Sequence, residues 1–325
     1  MKKSLKAIIA ICLVVVLAGS IFAACTAKPQ GEKIYQVGVV QLTEHPALDA
    51  ATEGFVAALK DKLGDQVKVD IQTAQGEETV CATIANQLVS KGVDLIMANA
   101  TPALQAAVAA TDQIPIVATS ITDYGEALGV SDFTGKSGIN VTGTSDLAPL
   151  DGQAKMIPEL CPNVKTVGII YCSSEANSKY QATGVAEALS ALGIATTEYT
   201  FADSNDIQAV VTKAVAENDA LYIPTDNKAA DNTGIIDSVA RPAKCPVFAG
   251  EEGICKVCGI ATLSISYYDL GYKTGEMAAE ILTEGKEPGT MDIAYAPKFT
   301  KEYNVEICAE LGIEVSDEYV AIAAE

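Results

Sequence analysis

Tryptophan is absent from this 325-residue chain, and histidine occurs once. Basic residues are also scarce, because 22 lysines and arginines stand against 42 aspartates and glutamates, for a formal charge of −20. A surface this acidic repels phosphate backbones, which excludes nucleic acid as a partner. It also excludes adhesion to anionic lipid through charge, so any membrane attachment must come from a lipid anchor.

Catalytic and cofactor motifs are missing as well. The chain contains no G-x-S-x-G nucleophile elbow, no H-E-x-x-H zinc motif, no P-loop, and no G-x-G-x-x-G after its first predicted strand. The single histidine, His45, precedes a proline in a predicted loop, where a structural or solvated role is the more common one. We therefore predict no enzyme, no cofactor and no metal ion.

The first 25 residues have the order of a bacterial export signal. Three lysines within the first six residues precede an apolar run over residues 7–23, and two alanines lie directly before Cys25. The segment resembles a lipoprotein signal with Phe22 in place of the usual Leu, in which residues 1–24 are removed and Cys25 is lipidated. A signal without lipid and a plain transmembrane anchor are the alternatives, although about 17 residues is short for a bilayer span. We predict a protein on the outer face of the cell membrane, with residues 25–33 as a linker.

Seven cysteines follow Cys25, and an odd number excludes complete pairing within one chain. Cys81 and Cys308 lie in apolar runs and are predicted to be buried free thiols. Cys255 and Cys258 form the one close pair, and no second C-x-x-C or nearby histidine indicates a metal. A local disulfide and two unpaired thiols both remain open for this pair.

From residue 35 onward, short β-branched runs alternate with segments of helical periodicity. Such alternation predicts parallel sheets with helices on both faces. The order restarts near residue 165: Gly38 and Gly54 are sixteen residues apart, and Gly168 and Gly184 repeat that spacing in similar surroundings. We therefore predict the α/β class, with two Rossmann-like lobes, and an extended crossover at 137–146.

Ligands of open parallel sheets bind beyond the carboxyl ends of the strands. The loops at those ends are rich in hydroxyl, amide and carboxylate groups, and supply the candidate ligand-binding residues Thr43, Glu44, Thr101, Asp123, Tyr124, Ser174, Asn177, Asp226, Asn227 and Glu251. Helix starts at Thr101 and at 173–178 favour a carboxylate, although ordinary capping explains each of them singly. Asp123, Asp226 and Glu251 have less reason to be caps and could hold an ammonium group. The set suits a zwitterion.

Six segments follow one another in an order that is typical of a known family. They are NVTGTSD at 140–146, YYDLGYKTG at 267–275, and the segments at 41–49, 100–103, 225–227 and 250–253. The sequence resembles the substrate-binding lipoproteins of ABC importers, in the branch that includes tryptophan- and phenylalanine-binding members. The resemblance covers residues 34–295. Tyr124 departs from it, because many relatives carry proline there, and its ring could provide an aromatic face for the ligand.

The resemblance implies a type I periplasmic-binding-protein fold, in which two lobes joined by three crossovers close over a ligand. Lobe one would comprise 34–146 plus 263–290, and lobe two 147–262 plus 291–325. The resemblance supports five of the candidate ligand-binding residues given above, namely Thr101, Asp123, Asn177, Asp226 and Glu251. It further implies an aromatic or branched amino acid as the ligand, with an ABC permease and ATPase as partners.

Two other functions remain open at this point. One is a receptor lobe that senses a ligand without transporting it. The other is an exported hydrolase that uses Asp226 or Glu251, for which the sequence offers no nucleophile or base partner.

Overall fold

The computed structural model describes residues 33–323, so the predicted signal peptide and Cys25 lie outside the described part of the chain. Its strands are β1 Tyr35–Gln41, β2 Val67–Thr73, β3 Leu95–Asn99, β4 Ile116–Ile121, β5 Val141–Ser145, β6 Thr166–Cys172, β7 Ala195–Phe201, β8 Ala220–Ile223, β9 Val247–Ala249, β10 Ala261–Ser264, β11 Ala294–Tyr295, β12 Thr300–Tyr303 and β13 Val320–Ala321. Its α-helices are α1 Pro46–Leu63, α2 Glu78–Lys91, α3 Thr101–Ala110, α4 Tyr124–Leu128, α5 Leu150–Leu160, α6 Ala176–Ala191, α7 Ile207–Glu217, α8 Asn227–Ala230, α9 Thr233–Ala240, α10 Glu252–Cys258, α11 Tyr267–Glu284 and α12 Val305–Leu311.

The strands form two sheets of the same design. The first has the order β2–β1–β3–β4–β5–β11, and all its strands are parallel. The second begins with the equivalent order β7–β6–β8–β9–β10 and adds β12, which is antiparallel to β10, and then β13. The repeated glycine spacing thus corresponds to a repeated lobe, and the predicted α/β class with two parallel-sheet lobes is confirmed.

Both faces of the first sheet are covered, which explains its near-continuous apolar strands. Alternate residues of β1 enter different cores: Val39 packs with Phe55 and Met97 on one face, and Val40 packs with Leu88 on the other. The second sheet repeats this arrangement with Ile169 and Ile170 of β6. Each lobe therefore has helices on both sides of its sheet.

The chain passes between the lobes three times, after β5, after β10 and after β11. Strand β10 extends to Ser264 within the second sheet, and β11 at Ala294–Tyr295 pairs with β5 in the first. The predicted lobe boundary at 290 therefore falls before the last strand of lobe one, because that strand completes its hydrogen bonds on β5. We use lobe one for 35–145 plus 267–295, and lobe two for 150–264 plus 300–323.

Two elements differ from the sequence-based expectation. The segment at 137–146 was expected to be only an extended crossover, but it contains the fully buried strand β5. The helix expected near 231–240 is α9, and the short helix α8 precedes it where a loop was expected.

Free thiols occupy all seven cysteine positions between residues 33 and 323. Cys81 and Cys308 are buried, as predicted, and Cys255 and Cys258 are two unpaired thiols within or at the end of α10. Over the same residues, no helix combines the length and the apolar character that a bilayer span requires.

Candidate ligand-binding cleft

A small cavity lies between the two lobes, at the carboxyl ends of their parallel strands. It is lined by His45, Ala47, Leu48, Ser120, Thr122, Asp146, Asn177, Thr225, Asp226, Asn227, Ala230, Glu251 and Tyr267. The lining comes from both lobes and from Asp146 in the first crossover. This is the position at which ligands of open α/β sheets bind.

Hydrogen bonds between the lobes close this cavity. The Thr43 hydroxyl donates to Asp231 Oδ2 across 2.9 Å, and Gln181 Nε2 of lobe two donates to Thr122 Oγ1 of lobe one across 3.0 Å. His45 Nε2 lies 3.3 Å from Asn227 Oδ1. The structure is therefore the closed form of a two-lobed protein.

Three buried carboxylates line the cavity: Asp146, Asp226 and Glu251. Burial raises the pKa of Asp146 to about 6, and burial is also the main cause of the raised pKa values of Asp226 and Glu251. No lysine or arginine of the described residues is part of the lining. A cationic group in the cavity would offset the cost of burying these negative charges.

Asp226 and Glu251 are helix caps as well as lining residues. The Asp226 carboxylate accepts from the backbone N–H of Cys172 at 2.6 Å and of Ala229 at 2.7 Å. Glu251 accepts from the N–H groups of Gly253 and Ile254 at the start of α10. The expectation that these two acids have little reason to cap was wrong, because their loops end directly at helix N-termini whose N–H groups need acceptors.

Asp123 shares that role but does not reach the cavity. Its side chain is partly exposed and caps α4 by accepting from the N–H of Glu126 at 2.8 Å. Capping therefore accounts for all three acids that the sequence singled out as ammonium ligands.

Asp146 has a different set of partners. It lies at the first crossover, directly after β5, and is 7% exposed. Its carboxylate accepts from the Tyr267 hydroxyl at 3.0 Å and from the Thr122 hydroxyl at 3.3 Å. Sequence reasoning missed Asp146 because 137–146 was interpreted as a connection. The available signal was an acidic residue at the end of a β-branched run.

Two other lining residues carry buried polar atoms with no hydrogen-bond partner in the chain, Ser120 Oγ and Asn177 Oδ1. Ser120 has a positive φ of 57°, an uncommon conformation for a residue with a side chain. Buried polar atoms are rarely left unpaired, and strained backbone collects at functional sites. Both features favour a polar ligand in this cavity.

Glu175 fixes the position of the amides of lobe two. Its carboxylate accepts from the backbone N–H groups of Asn227 and Lys228, at 3.0 and 2.9 Å, and from the Asn227 side chain. Asn177 Nδ2 donates to Glu175 and to the carbonyl of Thr225. The two amides thus enter the cavity from a rigid loop pair.

Of the ten residues that the sequence put forward, the structure brings Asn177, Asp226, Asn227 and Glu251 to the cavity. Thr43 instead joins the lobes through Asp231, whereas Glu44 and Ser174 are exposed. Thr101 is buried at the start of α3 with an unpaired hydroxyl, outside the lining.

Tyr124 does not provide an aromatic face for the cavity. Its ring is buried in the core of lobe one, 6.1 Å from the ring of Phe133. Its hydroxyl donates to the carbonyls of Ala118 and Thr144. The hydrogen bonds and the stacking hold the ring away from the cleft, which corrects the expectation for this residue.

The lining residues with a polar group that sequence reasoning did not choose are His45, Ser120, Thr122, Asp146, Thr225 and Tyr267. Most of them lie in the strand-end loops that were considered, so the loops were predictable but the individual side chains were not. Residues 33–323 contain no group of three His, Cys, Asp or Glu side chains that could hold a metal ion.

Two parallel-sheet lobes that close over a polar cavity define a type I periplasmic binding protein. A leucine-binding protein from Thermotoga maritima shares this fold, with a TM-score of 0.61 at 15% identity, over 77% of this chain and 83% of its own. The structure of an ABC domain in complex with L-Trp from Streptococcus pneumonia is more similar, with a TM-score of 0.84 at 33% identity, over 88% of this chain and 97% of that one.

The profile of the ABC transporter substrate-binding proteins matches residues 36–325, and this chain belongs to that family. A tyrosine-binding protein of Clostridioides difficile is 39% identical over 269 residues, which cover 82% of this chain and 77% of the relative. Proteins of this family bind a solute outside the cytoplasm for an ABC importer, and that is the function of this chain.

Proposed function

We propose that the solute is a zwitterionic amino acid with an aromatic side chain, which the closed cleft delivers to the permease and ATPase of an ABC importer. The observation that carries this proposal is the cavity between the lobes with three buried carboxylates and no lysine or arginine in its described lining. A ligand ammonium group would supply the missing positive charge. The unpaired hydroxyl of Ser120 offers a donor to the ligand carboxylate.

The aromatic class is supported by the lining and by the relatives. The rings of His45 and Tyr267 line the cavity. A planar side chain of a ligand packs well against such rings. One relative is a tyrosine-binding protein, and one similar structure holds L-Trp. A branched amino acid is the second choice.

Thermal unfolding with a panel of amino acids tests this proposal. L-tyrosine, L-tryptophan and L-phenylalanine should raise the melting temperature more than L-leucine, and L-glutamate should have no effect because its side chain adds negative charge. A ligand at a hundredfold excess over its Kd stabilises the folded state by about 2.7 kcal/mol. If no amino acid changes the melting temperature, the ligand class is wrong although the fold stands.

We further propose that the protein is attached to the outer face of the cell membrane through a lipid on Cys25, with residues 25–33 as the tether. Cys25 lies outside the described residues, and the proposal rests on the sequence that precedes it. The Cys25→Ala variant should lose incorporation of an alkyne-labelled fatty acid and leave the membrane fraction. Cys12→Ala is the matched control and should retain the label. Equal labelling of both variants would contradict lipidation at Cys25.

A further inference from the structure

We propose that Asp146 is the residue that binds the ammonium group of the ligand and that makes the cleft selective for amines. This inference rests on the proposed function, since it assigns the charge recognition of the same cavity to one side chain. The choice among the three lining carboxylates follows from their partners, and Asp146 is the one that capping does not explain.

Asp226 and Glu251 each accept two backbone N–H bonds from a fixed loop or helix start. Such donors cannot turn away, so the fold fixes the orientation of both carboxylates. Asp146, in contrast, accepts from two side-chain hydroxyl groups, which can rotate. The hydrogen bond from Thr122 is also long: its oxygen atoms are 3.3 Å apart. The usual O–H···O distance is about 2.7–2.8 Å. Asp146 therefore keeps acceptor capacity for a ligand.

The position of Asp146 connects amine recognition to closure. Asp146 lies at the first crossover and its partner Tyr267 begins α11, directly after the second crossover. Its other partner, Thr122, receives a hydrogen bond from Gln181 of lobe two. An ammonium group at Asp146 thus touches a hydrogen-bond network that includes the first crossover, the start of α11 and both lobes. Binding at this point favours the closed form over the open one.

The surroundings of Asp146 predict a pH dependence. Tyr267, Tyr124 and Glu251 are the titratable groups that act on it from α11, α4 and the loop before α10, and His45 shares the cavity. Burial raises the pKa of Asp146 to about 6, with Glu251 adding to the effect. The ionised carboxylate is needed to bind an ammonium group, so affinity should fall about tenfold from pH 7.5 to pH 5.

The test compares amino acids with analogues that lack the amine. L-tyrosine is paired with 3-(4-hydroxyphenyl)propanoate and L-tryptophan with indole-3-propanoate, and Kd is measured by calorimetry at pH 7.5. The wild-type protein should prefer the better-bound amino acid over its analogue by at least about a hundredfold. In Asp146→Asn, which keeps the shape of the side chain, the preference should fall below about tenfold, mainly through weaker binding of the amino acid.

Asp151→Asn serves as the control. It removes the same charge from an exposed site paired with Lys155, and should retain the wild-type preference. The proposal is overturned if Asp146→Asn keeps the hundredfold preference, or if Asp151→Asn loses it to the same extent.

Tyr267→Phe provides a second route if Asp146→Asn does not fold. Loss of the Tyr267 hydroxyl removes a donor to the ionised form of Asp146, so the pH at which binding is half lost should rise. An unchanged pH profile would overturn the role of Asp146. A wild-type protein that binds neither amino acid refutes the proposed function, whereas one that binds amino acid and analogue equally refutes the role of Asp146 alone.

Discussion

Gly143 in β5 allows a close approach between β5 and β4 in lobe one. Its φ is +148°, and a Cβ built on it would lie 1.9 Å from the carbonyl oxygen of Ala118 and 2.5 Å from the Tyr124 hydroxyl. The missing side chain lets β4 and β5 approach each other where their register shifts. The hydroxyl of Tyr124 reaches the same carbonyl, so the glycine also allows that ring to be buried.

We expect Gly143→Ala to lower the free energy of unfolding by at least about 3 kcal/mol, because backbone strain and a backbone clash add. Gly129→Ala is the matched control, since Gly129 also has a positive φ, of 68°, but open space around its Cβ position. That change should cost about 1 kcal/mol. Urea unfolding measures both, and equal losses would mean that the contact with Ala118 is unimportant.

The carboxylates of the strand-end loops show the limit of sequence reasoning for single residues. The sequence does not distinguish an aspartate that caps the next helix, as Asp226 does, from one that binds a ligand, as we propose for Asp146. The difference lies in which N–H groups come within 3 Å. The residue types of the loops predicted that polar groups gather at the cleft. They did not predict which carboxylate oxygens accept hydrogen bonds from backbone N–H groups.

Helix α11 is held on lobe one by direct backbone contact with α1. A Cβ on Gly271 would lie 1.9 Å from the carbonyl oxygen of Ala51, and one on Gly54 would lie 2.1 Å from that of Tyr268. Glycines on both helices therefore allow a very close crossing. The contact is important because α11 begins at the second crossover, and its first residue, Tyr267, lines the cavity.

Gly271→Ala should push the two helices apart and lower the free energy of unfolding by about 2–4 kcal/mol. The control is Gly234→Ala in α9, where nothing lies within 4 Å of the Cβ position. That variant should gain about 0.5–1 kcal/mol, because alanine has the higher helix propensity. Circular dichroism during thermal unfolding should show the two opposite signs, and a loss in both variants would contradict the role of close packing.

Most elements were predictable from periodicity, and the exceptions have physical causes. Strands such as β3 were predicted clearly because burial on both faces favours a run of apolar residues, here Leu95 to Ala98. Strand β5 was missed because its hydroxyls and Gly143 look like a flexible connection. Its burial comes from neighbours β4 and β11, and β11 follows about 150 residues later in the chain, a distance that local patterns do not reveal.

At the scale of the whole molecule, closure depends on a few polar contacts between the lobes. Thr43 of lobe one donates to Asp231 of lobe two, close to His45, which lines the cavity. Such contacts stabilise the closed form and lower the free-energy cost of closing the cleft. The affinity for a ligand therefore includes the free energy of these contacts.

Thr43→Val should weaken the closed form by about 1 kcal/mol and raise the Kd about fivefold, because it removes one hydrogen bond and keeps the shape of the side chain. The unliganded protein should also show a larger radius of gyration in solution X-ray scattering. Thr83→Val is the matched control, since the Thr83 hydroxyl bonds within its own helix. If both variants bind the amino acid as the wild type does, the contact with Asp231 does not contribute to closure.

The sequence by itself determined the α/β class, the repeat of the lobe and the polar character of the cleft, because burial and helix or strand periodicity are local properties of the chain. Only the tertiary structure decided which side chains line the cavity, that Tyr124 turns into the core, and that Asp146 and Tyr267 meet between the crossovers. The hydrogen bond between Asp146 and Tyr267 joins residues 121 positions apart. Such pairs form only when the three crossovers bring both lobes and α11 to the same place.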